Sequence, residues 1–415
     1  MQSIVKNLSQ MKKIKILNFF LIALCLFLFY VLYLFSFGYQ TVTEQINSTT
    51  VTLFGDTPDY TDLNYDGPYI FYHDDVAEII TIEKSKPKQD YGKINRKFIG
   101  LQDLYSTKFK SHIIDADGNS ENYVTFQLTE NYLIPKSVNV LLPNQKIFCI
   151  SDLEGNFEIF RSFLLNNKII DKDNKWIFGN NFLVINGDTF DRGYNVLPIL
   201  WLLYELEREG GNIIFVIGNH EQLNLTGNKK YLSRKYKALE LIINKGYINY
   251  YNENTELGKW LATKKSVYKI GTFLFLHGGI SPKVFNKKLS LDSLNNIITK
   301  NIRLPKELRK DTIVSNLLLD NYEGVLWYRG YFKNQDNYNR STQADIDSIC
   351  NYFGVEKIIV GHTIVDEIKT YYNGKIINID VTRNDDIGKN RPSALLIENN
   401  KFYAIDELGR NFLIK

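Results

Sequence analysis

The sequence predicts an α/β fold, preceded by a transmembrane helix and a small β-rich module. Two features predict the α/β part. From residue 146 onward, short apolar runs alternate with longer segments that leave room for crossover helices, as parallel strands require. The five clearest runs are KIFCIS (146–151), NFLVING (181–187), NIIFVIGN (212–219), FLFLHGG (273–279) and KIIVGH (357–362). The second feature is a pair of closing segments, KIINIDV (375–381) and a final run (394–414) with an Asn-Asn hairpin.

An uncharged apolar run, residues 16–38, predicts the transmembrane helix. At 1.5 Å per residue, a helix of this length crosses a hydrocarbon core of about 30 Å. No Lys or Arg follows the run until Lys84, and four lysines precede it: Lys6, Lys12, Lys13 and Lys15. The positive-inside rule therefore predicts a cytoplasmic tail at 1–15 and a catalytic domain outside the cytoplasm, either periplasmic or extracellular. A cleaved signal peptide is the alternative, but the run is long for one and lacks a small-x-small cleavage site.

The stretch between the anchor and residue 146 divides into two parts. Residues 39–64 are polar and turn-rich, which is typical of a linker. Residues 65–145 contain short runs of alternating polarity split by Gly, Asp and Asn, and these predict a β-rich module. We assign 146–415 to a catalytic domain. Within it, residues 225–266 form an insertion rich in Lys and Tyr, which we interpret as a solvated basic face, with the lining of a binding cleft as the alternative.

Composition excludes some classes of protein. The formal net charge of +4 is small for 415 residues, so the sequence does not indicate a nucleic-acid-binding protein. Three cysteines without a short spacing predict neither a disulfide framework nor a cysteine-based zinc site.

Each of the five apolar runs ends in a polar cluster. The clusters are SDLEGN (151–156), NGDTFDRG (186–193), IGNHEQLN (217–224), LHGGIS (276–281) and VGHT (360–363). Ligands of open α/β sheets bind at the carboxyl ends of the strands, so we expect these clusters to meet in one crevice. Three of the five histidines in the chain lie in them: His220, His277 and His362.

In this order, the motifs GDTFDRG, GNHE, HGG and GH resemble the calcineurin-like metallophosphoesterases of the phosphoprotein-phosphatase superfamily. The stretches NHEQLNLTG and WYRGY (327–331) are most similar to the bacterial Shewanella-like phosphatase branch. The resemblance covers about 146–380 and implies a four-layer αββα sandwich. The residues before 146 are not explained by it.

The resemblance implies a site for two divalent metal ions. Asp188 would bridge them, because the two oxygens of a carboxylate can serve both ions. Asp152 would bind the first ion, with Glu154 at the position that completes that side. The second ion would be bound by Asn219, His277 and His362. We expect manganese, with iron, zinc or magnesium as alternatives, since two such ions can stabilise the attacking and leaving oxygens of phosphoryl transfer.

Four further residues would act on the substrate. Arg192 and Arg329 would bind the phosphoryl oxygens, since the planar guanidinium matches them bidentately. His220 would protonate the leaving oxygen, with Asp191 orienting it and raising its pKa. Glu221, the last residue of GNHE, has a structural role in this scheme.

Glu154 departs from the family pattern, which has a histidine in this position. One hypothesis makes Glu154 a metal ligand, since carboxylate oxygen suits hard ions such as Mn²⁺ and Mg²⁺. The other makes it no ligand, but a carboxylate favoured by the exposed N–H groups at the start of the next helix. As a third carboxylate in the site, it would lower the net charge of the centre and the acidity of bound water.

The sequence therefore predicts a membrane-anchored, dinuclear metal-dependent phosphatase. The resemblance implies phosphomonoesters as substrates, and phosphotyrosine or phosphoserine and phosphothreonine in proteins as the expected class. One alternative is a hydrolase of dinucleoside polyphosphates or other nucleotide pyrophosphates. Another is a non-catalytic receptor for a phosphorylated ligand.

Overall fold

The computed structural model describes residues 21–22, 24–30, 40–43, 48–51, 63–84, 92–115, 118–333, 338, 340–381 and 393–414. The chain divides into two compact units, residues 1–58 and residues 59–415.

The first unit contains helical residues at 21–22 and 24–30. It also contains an antiparallel hairpin of β1 (Gln40–Thr43) and β2 (Ser48–Val51), inside the predicted linker. Among the described residues, no helix is both long enough and apolar enough to span a bilayer. The predicted tail at 1–15, and most of the predicted anchor at 16–38, lie outside the described residues.

The second unit contains the remaining strands and the helices. The strands are β3 (Asp66–Tyr72), β4 (Val76–Glu83), β5 (Lys93–Gly100), β6 (Lys108–Ile113), β7 (Asn122–Gln127), β8 (Ile147–Ile150), β9 (Phe182–Ile185), β10 (Asn212–Phe215), β11 (Val267–Ile270), β12 (Phe273–Leu276), β13 (Lys357–Val360), β14 (Lys369–Tyr371), β15 (Ile376–Asn378), β16 (Ala394–Glu398), β17 (Lys401–Ile405) and β18 (Asn411–Leu413). The helices are α1 (Leu101–Leu104), α2 (Phe157–Asn166), α3 (Val196–Arg208), α4 (Asn219–Leu225), α5 (Arg234–Ile243), α6 (Glu256–Ala262), α7 (Pro282–Phe285), α8 (Leu291–Asn301), α9 (Thr312–Leu318) and α10 (Gln343–Phe353), with 3₁₀ turns at Tyr247–Tyr251 and Lys306–Leu308.

The five apolar runs form strands, but they are divided between two sheets. One sheet has the order β10-β9-β8-β16-β17-β18, in which β8, β9 and β10 are parallel. The other has the order β11-β12-β13-β15-β14, in which β12, β13 and β15 are parallel. The predicted closing hairpin joins β16 to β17, and both of its turn residues, Asn399 and Asn400, have left-handed backbone. This conformation is the one that a tight two-residue hairpin requires.

The strands alternate their side chains between two apolar layers. Ile147, Cys149 and Val184 contribute to the buried cluster that also contains Phe275 and Ile359 of the second sheet. This cluster therefore lies between the sheets, as the period of two in a β-strand requires. The alternate side chains of β8, Phe148 and Ile150, belong to the other core cluster, which also contains residues of the helices.

Helices cover the outer faces of both sheets. On the second sheet, Asn295 of α8 accepts a hydrogen bond from the Val267 backbone N–H (3.0 Å) and donates one to the Val267 carbonyl (2.8 Å). On the first sheet, Phe163 of α2 packs against Phe148 of β8, with ring centres 6.4 Å apart. These layers form the αββα arrangement.

The β-rich segment, defined here as β3 to β7, packs directly on the catalytic region. It contains an antiparallel sheet, β3-β4-β5, and the hairpin β6-β7. Phe126 of β7 stacks on Trp201 of α3, with ring centres 3.9 Å apart. The α3 helix is consequently buried on all sides, since a sheet lies on one face of it and the hairpin on another.

The interpretation of residues 225–266 as a solvated basic face is wrong for much of this insertion. Lys235 is fully buried, as are four tyrosines: Tyr236, Tyr247, Tyr250 and Tyr251. The insertion instead fills the space between the catalytic region and the β-rich segment, where Tyr250 contacts Tyr69 edge-on. Lysine and tyrosine have long apolar stems and rings, which is why much of a Lys/Tyr-rich segment can be buried.

Candidate metal centre and active site

The polar segments after the strands of both sheets meet at one cavity of about 360 Å³. Seven of the ten predicted site residues line it: Asp152, Glu154, Asp188, Arg192, His220, Arg329 and His362. The other three do not line the cavity. Asp191 and His277 contact the lining residues His220 and Asp188, and Asn219 contacts His277. The structure therefore brings together all ten residues that the sequence predicted for the site.

The Asp188 carboxylate lies at the centre of the cluster, with the residue 2 % exposed. Its Oδ2 is 2.9 Å from His277 Nε2, and its Oδ1 accepts the backbone N–H of His220 at 2.9 Å. Burial alone raises the pKa of Asp188, but the charges of His277, His220 and His362 outweigh burial and hold that pKa well below its usual range. Asp188 is therefore an anion at neutral pH.

Two groups of possible metal ligands share Asp188. Asp188, His277 and His362 each offer a ligand atom within 4.8 Å of the others, and the same holds for Asp188, Glu154 and His220. Asp188 is common to both groups, as a bridging ligand would be, but the second group has His220 in place of the predicted ligand Asp152.

Hydrogen bonds to backbone carbonyls orient the rings of two histidines in the site. His277 Nδ1 is 2.8 Å from the carbonyl of Asn186, so it donates, and Nε2 is left to face Asp188 and Asn219. His362 uses the opposite nitrogen, since its Nε2 is 2.9 Å from the carbonyl of Trp327. Metal-bound histidines usually donate their second N–H to a carbonyl or carboxylate in this way.

Glycines allow the donor groups to approach one another closely. A Cβ on Gly218 would lie 2.4 Å from Asp188 Oδ1, and one on Gly361 would lie 2.7 Å from Asp152 Oδ2. Real Cβ atoms essentially never lie this close to another atom, so a side chain at either position would displace the carboxylate. The oxygen and imidazole donors held this way suit divalent ions such as manganese, zinc or magnesium. The residues of the site therefore fit the two metal ions that the motifs imply.

Asp152 and Glu154 occupy the side of the cavity that follows β8. Asp152 Oδ2 accepts hydrogen bonds from the Ser151 hydroxyl (2.5 Å) and from the backbone N–H of His362 (3.3 Å). The Glu154 carboxylate forms an ion pair with the guanidinium of Arg192. Neither hypothesis for Glu154 included this pairing.

Six of the ten residues have left-handed backbone, with positive φ. They are Asp152 (53°), Glu154 (46°), Asp188 (55°), Asp191 (72°), Arg192 (58°) and His362 (64°). Such residues cost about 1–3 kcal/mol each and persist only when their surroundings fix them. Here the backbone N–H of Glu154 donates to the Asp188 carbonyl at 3.0 Å, so two strained segments hold each other.

Glu221 is a brace for the central loop, as its structural role predicted. Its fully buried carboxylate accepts backbone N–H bonds from Asp188 (2.9 Å), Thr189 (2.7 Å) and Gly218 (2.7 Å). Burial, with a further contribution from the Asp188 charge, raises the pKa of Glu221 to about 7. The three N–H bonds fix the position of the segment that carries Asp188.

His220 and Asp191 form a buried pair at the edge of the cavity. His220 Nδ1 is 2.7 Å from Asp191 Oδ2, and Asn224 donates to the other carboxylate oxygen at 2.9 Å. Burial lowers the pKa of His220, but the Asp188 charge and the hydrogen bond to Asp191 outweigh burial and raise it overall. This arrangement fixes the ring with Nδ1–H on Asp191 and Nε2 toward Asp188, 3.8 Å from its Oδ2.

The two predicted arginines reach the cavity from different segments. Arg192 is half-exposed and lies 5.6 Å from the ring centre of Tyr231. Arg329 donates to the carbonyl of His362, and its Nη2 is 3.4 Å from His362 Nδ1. Both guanidinium groups can therefore contact an anion in the cavity.

Sequence reasoning missed several residues of the site. Asp380 and Ile364 line the cavity, and the Tyr231 ring packs on His220 with centres 5.0 Å apart. Asp380 follows β15, so the rule that found the other clusters, a polar residue after an apolar strand, would have found it. Tyr231 lies in the insertion, and no local pattern distinguishes it from the other tyrosines there.

Comparison with known proteins identifies the family. The family model of the calcineurin-like phosphoesterases matches residues 145–366. Shewanella-like protein phosphatase 1 of Plasmodium berghei is 30% identical over 277 residues, which are 63% of this chain and 74% of that protein. Shewanella-like protein phosphatase 2 of Arabidopsis thaliana is 34% identical over 110 residues, 24% of this chain and 28% of that protein.

A solved structure with the same fold is that of a cold-active protein-tyrosine phosphatase from a psychrophilic Shewanella species. It is 28% identical, has a TM-score of 0.70, and the similarity covers 85% of this chain and 99% of that one. These findings confirm the resemblance drawn from the motifs and the metallophosphoesterase α/β fold. The chain therefore belongs to the calcineurin-like phosphoesterases and is a phosphoester hydrolase.

Proposed function

We propose that this protein is a metal-dependent phosphatase that removes phosphate from phosphorylated protein side chains. The observation that carries the proposal is one cavity lined by the Asp188 cluster, by the paired His220, and by two arginines from separate segments. The names of two relatives support a protein substrate, since one is a protein phosphatase and one a protein-tyrosine phosphatase. The choice between phosphotyrosine and phosphoserine or phosphothreonine is left to experiment.

In this proposal Asp188 is shared by two metal ions. Asp152 and Glu154 would hold one ion, and Asn219, His277 and His362 would hold the other. When bound, the ions supply Lewis-acid stabilisation of the charge that develops on the phosphoryl group. Manganese is the proposed metal, with iron, zinc and magnesium as alternatives.

The residues of the chain supply substrate binding and a proton. Arg192 and Arg329 bind the phosphoryl oxygens, since each guanidinium donates in a fixed plane and keeps its charge. Asp191, an anion that can only accept, keeps the Nδ1 proton of His220 in place. A protonated His220 can then donate its Nε2 proton to the leaving oxygen.

We also propose that residues 16–38 anchor the protein in a membrane, with the catalytic unit outside the cytoplasm. The support is the uncharged run and the lysines before it. Alkaline carbonate extraction of membranes from cells expressing the full chain should leave the protein with the lipid. A variant with Leu26→Arg and Leu28→Arg should be released, since each arginine costs about 2.5–3.5 kcal/mol at the centre of a bilayer. Release of the wild-type protein would refute the anchor.

The activity prediction is metal-dependent hydrolysis of an aryl phosphate by the full chain. We expect turnover with Mn²⁺ that exceeds turnover with Mg²⁺, Zn²⁺ or Ca²⁺. His220→Ala and Asp191→Asn should each lower kcat by about 10²–10⁴-fold, the usual contribution of general acid catalysis. His73→Ala is the matched control, because His73 lies in the turn between β3 and β4, half-exposed and paired with Glu78, and does not line the cavity.

The same assay separates the alternatives. Faster cleavage of a dinucleoside polyphosphate than of any phosphomonoester would favour the pyrophosphohydrolase. Phosphate binding without turnover, with every ion tested, would favour the receptor.

A second prediction concerns Glu154 as a metal ligand. Glu154→Gln should weaken Mn²⁺ binding, measured calorimetrically, by about 10–100-fold, the range found when groups supporting a metal site are lost. Glu154→His should raise the affinity for Zn²⁺ relative to Mn²⁺, because imidazole suits zinc better than manganese.

A different result is expected if the only role of Glu154 is its ion pair with Arg192. If Glu154 serves only as the partner of Arg192, both variants will bind Mn²⁺ like the wild type. The KM for an aryl phosphate will then fall, because Arg192 is released to bind the substrate. That pair of results would contradict the ligand hypothesis.

A further inference from the structure

The loop that carries Arg192, residues 191–195, is strained at the residues that the chemistry uses. Asp191 and Arg192 are consecutive non-glycine residues with φ of 72° and 58°. A conformation of this kind persists only where neighbouring groups fix it. The contacts that fix this loop therefore determine where the backbone of Arg192 lies.

One contact is a buried lysine that faces the loop. Lys235 Nζ donates to the carbonyl of Tyr194 at 2.8 Å and forms an ion pair with Asp66 Oδ1, also at 2.8 Å. The Lys235 side chain is 0 % exposed and that of Asp66 is 2 % exposed. Tyr236 donates to the same carbonyl through its hydroxyl, at 3.1 Å.

A second contact fixes the end of the loop. Asn195, also buried, makes two hydrogen bonds to the backbone of Ile114, one accepted by its Oδ1 and one donated by its Nδ2, both of 2.8 Å. Ile114 follows β6, and Asp66 begins β3. Both residues that hold the loop, Asp66 and Ile114, therefore belong to the β-rich segment, to which the phosphatase motifs assign no role.

A buried ion pair is a poor source of stability, because desolvation of both charges offsets their attraction. Its better-attested use is to specify one geometry among several. Here the ammonium group has one partner in the β-rich segment and one in the Arg192 loop. The same ammonium group therefore links the two.

We propose that the β-rich segment positions the Arg192 loop for phosphate binding, with Lys235 as the positioning residue between them. This inference rests on the proposed function, in which Arg192 binds the phosphoryl group. It gives residues 66–127 a part in substrate affinity without any contact between them and the substrate.

The test is Lys235→Met in the full chain, with inorganic phosphate as the probe. The inhibition constant of phosphate and the KM for an aryl phosphate should rise by about 10–100-fold, the scale expected from a small displacement of a binding group. The change in kcat should be smaller. In an Arg192→Ala background, Lys235→Met should add less than about a twofold change, because residues that act as one unit are not additive.

The matched control is Lys264→Met. Lys264 is also a fully buried lysine, paired with the buried Glu207 at 2.6 Å, and it does not contact the loop. The Lys264→Met variant should lower the melting temperature about as much as Lys235→Met does, and it should leave the inhibition constant of phosphate unchanged. If Lys235→Met fails to fold, Asp66→Asn is the second variant, since it keeps the volume and removes the partner charge.

Two results would overturn the inference while leaving the role of Arg192 intact. One is an effect of Lys235→Met, or of Asp66→Asn, on phosphate affinity no larger than that of Lys264→Met. The other is a full, multiplicative effect of Lys235→Met in the Arg192→Ala background. An Arg192→Ala variant that binds phosphate like the wild type would refute the role of Arg192 itself, and this inference with it.

Discussion

The rest of the site depends on keeping one carboxylate, Asp188, charged and buried. An isolated buried carboxylate would take up a proton rather than stay ionised. His277 and the backbone N–H of His220 supply the compensating interactions within 3 Å. Glu221 then fixes the segment around Asp188 by accepting the backbone N–H of Asp188. This contact places a second carboxyl group close to the first. Burial, with a further contribution from the nearby Asp188 charge, raises the pKa of Glu221.

The strained backbone follows from the same requirement. Side chains from strand ends in two sheets must reach one point, and extended or helical backbone would direct them elsewhere. Left-handed residues at Asp152, Asp188 and His362 turn the chain sharply just after a strand. The cost is distributed, since each strained segment hydrogen-bonds to another: Asp152 N–H to the Gly187 carbonyl, and Gly193 N–H to that of Glu154. The two-sheet core supplies the rigid support that such strain needs.

Much of the site could be predicted from the sequence, because its residues follow apolar strands in regular positions. The strand β13 ends at Val360, two residues before His362, and β9 ends at Ile185, three residues before Asp188. The hydrophobic periodicity of the sequence could not show that the strands belong to two sheets, because a buried strand has the same pattern in either sheet. That division came only from the family resemblance.

The contacts that the sequence could not predict are those between segments far apart in the chain. The ion pair of Glu154 with Arg192 depends on how two strained loops face each other. The burial of Lys235 depends on Asp66, which precedes it by more than 160 residues. Composition indicated a solvated face there, because lysine is rarely buried and nothing local reveals its partner.

In the proposed dinuclear centre, Asp188 would be shared by two metal ions, one on each side. The most direct test is an anomalous difference map, measured at the manganese absorption edge, from crystals of the protein grown with Mn²⁺. Two peaks should flank the Asp188 carboxylate, one touching Asp152 and Glu154 and the other touching Asn219, His277 and His362. A single peak, or peaks that do not contact Asp188, would contradict the account.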